Sequence, residues 1–142
     1  MEKKPAVICD LDGCLAILED RNPYDASTCE NDLVNEVLKT ELLRFKENGY
    51  SIILLTGREK VYEPQTLKWL EKNNIPWDEL LMRENEDGVL APAYKEVRLD
   101  FDILPNYEPY LAFEDQFRVA KMFRGRGIPC WIVNAEPWDK NS

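Results

Sequence analysis

Two aspartates one residue apart, Asp10 and Asp12, follow the apolar run Pro5-Ala-Val-Ile-Cys9, and Gly13 comes directly after them. Side chains alternate along an extended chain, so this spacing sends both carboxylates to one side. Gly13 then lets the backbone turn sharply away. Crowded carboxylates repel unless a cation or a shared proton relieves them. The pair could therefore hold a divalent cation and still present one oxygen as a nucleophile, giving an aspartyl-phosphate that water later hydrolyses. The plain alternative is an acidic turn after a strand. Two acids flanking a leucine behind a continuous apolar run favour the chemical reading.

Two other strand ends carry matching chemistry. Thr56-Gly57-Arg58 follows Ile52-Ile-Leu-Leu55, where a hydroxyl and backbone N–H groups could hold phosphate oxygens and Arg58 offers a bidentate fork. An ordinary strand-to-helix turn would use the same residues. Glu114-Asp115 follows Tyr110-Leu-Ala-Phe113. Magnesium prefers oxygen ligands in octahedral geometry and keeps several waters, so Asp10, Asp115 and the backbone carbonyl of Asp12 would suffice beside a substrate phosphate. Acids capping a helix would look alike, and both roles can hold at once. Lys95, near the start of the helix before the fourth strand, could neutralise nucleophile and phosphoryl charge. Arg118, Lys121 and Arg124 recur every three residues with Arg126 just beyond. That stripe suits a solvated helix face better than a nucleic-acid track.

These groups act together only if one sheet edge collects them. Candidate strands are Ala6–Cys9, Ser51–Leu55, Leu80–Met82, Tyr110–Phe113 and Cys130–Val133. Leu33, Val34, Val37, Leu38, Leu42 and Phe45 recur at helical spacing before Asn48-Gly49. A second helix is expected over about Glu63–Lys72 and a fourth over about Gln116–Arg124. Tyr94, Val97, Phe101 and Leu104 mark a third, begun near Pro92. Alternating strands and helices predict an α/β fold, a parallel sheet covered on both faces, with ligands beyond the carboxyl ends of the strands. Residues 14–30 lack helical period and are broken by Asn22-Pro23, predicting a short hairpin or flap over the site. Residues 137–142 are expected to form a loose tail.

Composition narrows the chemistry. The chain has 142 residues, which suits a single domain over 1–142. It contains no histidine, which excludes Ser-His and Cys-His catalysis and leaves carboxylates, lysine, arginine and a hard metal. Its four cysteines lack Cys-x-x-Cys spacing, which points to reduced thiols in a cytoplasmic protein rather than a zinc site. No apolar run is long enough for a bilayer, and no signal peptide is expected ahead of the first strand. A net charge of −9 opposes binding along extended nucleic acid but allows recognition of one phosphorylated end.

Taken together, these residues resemble the haloacid dehalogenase (HAD) superfamily of phosphotransferases. Asp10-Leu-Asp12-Gly13, Thr56-Gly57-Arg58, Lys95 and Glu114-Asp115 occur in that family's order and span nearly the whole chain. The likeness is closer to the 3′-phosphatase domain of phage-type polynucleotide kinase/phosphatase, whose flap carries an arginine followed by Pro-Tyr-Asp, as in Arg21-Asn-Pro23-Tyr24-Asp25. Cys29-Glu-Asn-Asp32-Leu-Val-Asn35, Gly49-Tyr50 and Gly127-Ile-Pro-Cys-Trp131 also look like that group. The resemblance implies a Rossmannoid three-layer sandwich with a five-stranded parallel sheet, a short flap and no large cap domain. It makes Asp10 the nucleophile and Asp12 the general acid and base. Thr56, Gly57 and Lys95 would bind the transferring phosphoryl group, and Arg21 and Arg58 would contact substrate. Asp10, Asp12 and Asp115 would hold Mg2+. Departures are Cys14 in place of threonine, Ala91 in place of an aspartate, and Glu114 in place of the usual aspartate. A Gly-x-x-x-x-Gly-Lys-[Ser/Thr] loop is missing, so this sequence is not the kinase half.

The expected activity is removal of 3′-phosphate from DNA or RNA ends, or from nucleoside 3′-monophosphates, beside a separate kinase or ligase and away from membranes. A small-molecule phosphatase such as a 5′-nucleotidase is the nearest alternative. A non-catalytic binding module on the same fold is an alternative of another class.

Overall fold

In β1 (Lys4–Cys9), Ala6, Val7, Ile8 and Cys9 are all buried. A strand buried on both faces belongs in the middle of a parallel sheet, and β1 is the central strand. The computed structural model describes residues 2–134, so the tail expected at 137–142 lies outside the described residues. β4 (Ser51–Glu59), β5 (Glu79–Arg83), β6 (Tyr107–Glu114) and β7 (Cys130–Ile132) complete a parallel sheet of five strands in the order β5-β4-β1-β6-β7.

The pleat divides the core in two. Val7, Cys9, Ile52 and Leu54 meet Leu38 and Leu42 of α1 (Glu36–Glu47) and Trp69 and Leu70 of α2 (Glu63–Lys72). Ala6, Ile8, Ile53 and Leu55 meet Tyr94 of α3 (Ala91–Arg98) and Val119 and Phe123 of α4 (Phe117–Gly125). Each fully buried aliphatic or aromatic side chain of these layers contributes about 1.5–3 kcal/mol. The result is the three-layer α/β sandwich expected from the alternation of elements.

Several local expectations shift. Leu33 and Val34 belong to β3 (Leu33–Val34), which pairs antiparallel with β2 (Ala16–Ile17) at the base of the flap. The helix begins only after Asn35, whose side chain accepts from Leu38 N–H and donates to the Cys14 carbonyl at 3.1 Å. β4 runs on through Thr56, Gly57 and Arg58 to Glu59, with an irregular register against β5 after Leu55, so these residues are strand rather than turn. In β6 the register slips between Pro109 and Leu111, which leaves Tyr110 bulged and half exposed. Proline has no N–H for the ladder, and a bulge accommodates it.

The third helical stretch buries a different face from the one its spacing suggests. Leu104 N–H bonds to Leu99 C=O at the end of a π-helical turn over Leu99–Ile103. That turn holds an extra residue and rotates the chain beyond it. Leu99 and Ile103 are therefore core residues, whereas Phe101 is 73% exposed and Val97 lies at the surface. No helix among the described residues is long and apolar enough to cross a membrane.

Candidate active site

The strand ends deliver their side chains to one cleft of about 870 Å³, lined by Asp10, Asp12, Thr56, Arg58, Lys95 and Asp115 among others. Asp10 follows β1 and is fixed by its N–H to Phe113 C=O at 3.0 Å. It keeps the parity of Ala6 and Ile8, so its side chain faces α3. There Lys95, 3% exposed, donates to Asp10 Oδ1 at 2.9 Å and to Glu114 Oε2 at 2.7 Å. Burial would lower the Lys95 pKa, but Asp10 and Glu114 outweigh it and push it up, so the ammonium is permanent.

Asp10, Glu114 and Asp115 each bring a carboxylate oxygen within 4.8 Å of the others. Their closeness depends on Gly13, which has φ +78° and where a Cβ would stand 2.5 Å from Asp115 Oδ2. Burial, then the charge of Asp10, pushes the pKa of both Asp115 and Glu114 up. Lys95 supplies one positive charge to three acids, and the remaining repulsion is what a divalent cation would remove. All the donors are oxygens, the set a hard ion such as Mg2+ takes. Asp10 and Asp115 thus meet as expected. The third carboxylate there is Glu114, which by sequence alone is only a departure from the family's usual aspartate.

Asp12 turns elsewhere, because the extended strand ends at Cys9 and alternation ends with it. Its carboxylate accepts from Arg58 Nη2 at 2.7 Å and Nε at 3.1 Å, and from Arg21 Nη2 at 2.7 Å. Burial would raise the Asp12 pKa, but Arg58 and then Arg21 overcome it and hold the group below the usual carboxylate range. Arg58 is 4% exposed, and its Nη1 is occupied by Thr66 Oγ1 at 3.1 Å. Neither arginine is a free fork; a ligand must compete with Asp12 for it.

Asp32, just before β3, closes this group and is not singled out by the sequence. It accepts from Arg21 Nε at 3.0 Å and Nη2 at 2.9 Å, and from Arg58 Nη2 at 3.3 Å, while its carbonyl takes Trp69 Nε1–H at 2.9 Å. Its place in the Cys29–Asn35 stretch that resembles the phage-type phosphatases carries no role by itself, and the physical signal is indirect: two arginines beside one aspartate need a second acid once buried. Thr56 is buried and its Oγ accepts from Arg58 N–H at 3.1 Å. Gly57 lies exposed beside it on the cleft wall. The flap places Tyr24, 89% exposed, at the cleft mouth. The arginine stripe is divided: Arg118 lines the cleft, but Arg124 donates to Cys130 C=O at 2.7 Å and so secures β7.

A carboxylate beside a fixed ammonium, an acidic cluster and a second carboxylate under two arginines form a site of the kind phosphoryl transfer needs, since that chemistry rests on positioning and charge neutralisation. The fold is shared with the class C acid phosphatase of Bacillus anthracis, at a TM-score of 0.67 and 18% identity over 98% of this chain and 71% of that one. A chain of the Pnkp1/Rnl/Hen1 complex matches at a TM-score of 0.91 and 37% identity, over 97% of this chain and 48% of that one. A protein of Autographa californica nuclear polyhedrosis virus, designated a bifunctional polynucleotide kinase/RNA ligase, is 27% identical over 130 residues, 87% of this chain and 18% of that protein. The chain therefore spans less than half the length of these two relatives. Residues 4–138 match the family described as the polynucleotide kinase PNKP phosphatase domain. This chain belongs to that family, and with its HAD fold it is a phosphoric monoester hydrolase.

Proposed function

We propose that this domain removes 3′-phosphate groups from polynucleotide ends, or from nucleoside 3′-monophosphates, in a Mg2+-dependent reaction through an aspartyl-phosphate. The observation that carries the reading is the position of Asp10, between the Lys95 ammonium on one side and the acidic cluster on the other, with Asp12 facing the same cleft. Asp10 attacks phosphorus, and the leaving 3′ oxygen takes a proton from Asp12. Asp12 then accepts a proton from the water that hydrolyses the phosphoenzyme. Lys95, Thr56 and the Gly57 backbone hold the transferring phosphoryl oxygens. Asp10, Asp115 and the Asp12 backbone carbonyl would hold Mg2+, with Glu114 beside them; bound there, the ion would supply charge neutralisation to the phosphoryl group.

The arginine cluster suits this sequence of proton transfers. An arriving phosphate competes with Asp12 for Arg21 and Arg58. A carboxylate that loses a cationic partner binds its proton more readily, which readies Asp12 as an acid only when substrate is present. The cleft lies open under a short flap, which suits the end of a polymer. The likeness to a chain of an RNA repair complex supports action beside separate kinase or ligase activities.

The test is a substrate panel with Mg2+ or chelator: 3′-phosphorylated oligonucleotides, nucleoside 3′-monophosphates and 5′-mononucleotides. The 3′-phosphates should be hydrolysed, only with Mg2+, and Asp10→Asn should abolish turnover without unfolding the protein. A strong preference for 5′-mononucleotides would replace this reading with the small-molecule one.

A further inference from the structure

One wall of the cleft is apolar. Val89, Leu90, Ala91 and Pro92 line it where the chain enters α3, and Leu18 and Tyr24 of the flap line the same cleft. Val89 is 45% and Leu90 72% exposed, so the core holds neither side chain. A lone exposed leucine is ordinary, but this one borders a site whose other side chains are mostly charged. The backbone beneath is fixed. Val89 N–H donates to Asp87 Oδ1 at 3.0 Å, and Val89 C=O accepts from Arg83 Nη1 at 2.8 Å. Leu90 C=O accepts from Tyr94 N–H at 2.9 Å and so opens the ladder of α3. The segment is apolar surface on an anchored chain.

Its place relative to Lys95 indicates what would touch it. Ala91 stands four residues before Lys95 on α3, so the two share a helix face about 6 Å apart along the axis. Burial deepens along the segment: Leu90 is exposed, Ala91 half-buried and Lys95 3% exposed. A phosphoryl group on Lys95 lies at the floor, and a group esterified to it passes Ala91 and Leu90 on its way to the mouth. A nucleobase offers flat apolar faces and a hydrogen-bonding edge, and this wall suits the faces. Val89 has spent both backbone groups and Leu90 its carbonyl, while Pro92 has no N–H. Ala91, in place of the expected aspartate, keeps a charge off the surface. We infer that Val89, Leu90 and Ala91 seat the base of the nucleotide that bears the scissile 3′-phosphate, by its apolar face. The seat takes purine and pyrimidine alike and selects against phosphate esters that carry no base. This rests on the function proposed above and adds recognition of the leaving group to it.

The test uses 3′-phosphorylated oligonucleotides that differ only in the last nucleotide, which carries adenine, uracil or no base. Wild type, Leu90→Ala, Leu90→Asn and Leu90→Met are compared with Mg2+ present. Wild type should favour both base-bearing substrates over the abasic one by at least about tenfold in kcat/KM, and treat adenine and uracil within about fivefold of each other. Leu90→Ala and Leu90→Asn should raise KM by about 5- to 20-fold for the base-bearing substrates, with kcat largely kept and a clearly smaller change for the abasic one. Leu90→Met, apolar and of similar volume, should retain most of the affinity. Because Leu90 is exposed, thermal melts should scarcely move. Equal losses on all three substrates would overturn the inference, by making Leu90 a shaper of the cleft or a rest for the flap. An abasic substrate as good as the others in wild type would overturn it too, as would no loss in any variant. A strong preference for one base would show that its edge is read and would also overturn it. Wild-type failure on every 3′-phosphate would instead bring down the function on which the inference rests.

Discussion

Replacing Gly13 by alanine should separate the acidic cluster from the stability of the fold. Two costs arise at this position. The backbone has φ +78°, which costs a non-glycine residue about 1–2 kcal/mol. A Cβ would also lie 2.5 Å from Asp115 Oδ2. An ordinary contact there is roughly 3.4 Å or more, so Asp115 must retreat by close to 1 Å. Metal sites hold their ligand distances to within about 0.2 Å, so that displacement takes Asp115 out of coordinating range. Gly49 is the control: its φ is +90°, yet a Cβ there meets nothing within 4 Å. Gly49→Ala should lower Tm by about 3–6 °C, the backbone term alone for a chain of this size, and leave catalysis unchanged. Gly13→Ala should lower Tm by a similar amount and also raise the Mg2+ concentration for half-maximal activity by at least about tenfold, the range typical of disturbed metal sites. The assays are thermal melts and phosphatase rates across a magnesium titration. An unaltered magnesium dependence in Gly13→Ala would refute the placement of the cation beside Asp115.

Three other outcomes are expected. Asp32→Asn leaves Arg21 and Arg58 to share Asp12, and loss of one partner from a buried ionic group costs about 3–5 kcal/mol, or roughly 10 °C in Tm; a melt unchanged from wild type would show that Asp32 does not hold the arginines. In chelator, Asp115, pushed up from 3.8 to about 10, keeps a proton that the unfolded chain has released, so stability should fall as pH rises through that window. Mg2+ takes the proton's place, so it should flatten this slope and bind more tightly at higher pH; equal slopes with and without Mg2+ would remove this cluster as the ion site. Arg21→Ala should impair oligonucleotide 3′-phosphates more than p-nitrophenyl phosphate, measured as kcat/KM, and a uniform loss would reduce the flap arginine to an anchor of Asp12.

The arginines of the flap and of β4 also bear on how an acidic protein meets an anionic substrate. With a net charge of −9, long-range attraction is weak, and the cations that matter are those fixed within the cleft. Four of the five acids around the reaction centre are neutralised or shared there by Arg21, Arg58 and Lys95. The proposed function therefore calls for local recognition of a terminal phosphate rather than binding along a track.

The α/β architecture and the strand ends that meet at the candidate site are legible in the sequence. Apolar runs of β1 and β4, the helical spacing of α2 and α4, and acids placed directly after strands are local patterns, and local patterns report periodicity and strand ends well. They suffice to bring Asp10, Thr56, Lys95 and Asp115 to one edge. Tertiary structure alone decided direction and partnership. Asp12 leaves the side that alternation assigned to it, because the strand has ended and two buried arginines draw its charge. Asp32 and Glu114 join the site because buried cations and acids must be paired across elements far apart in sequence. The π turn at Leu99–Ile103 exposes Phe101, an exposure that no helical spacing in the sequence marks. Periodicity is a property of neighbours along the chain, whereas charge compensation is a property of neighbours in space.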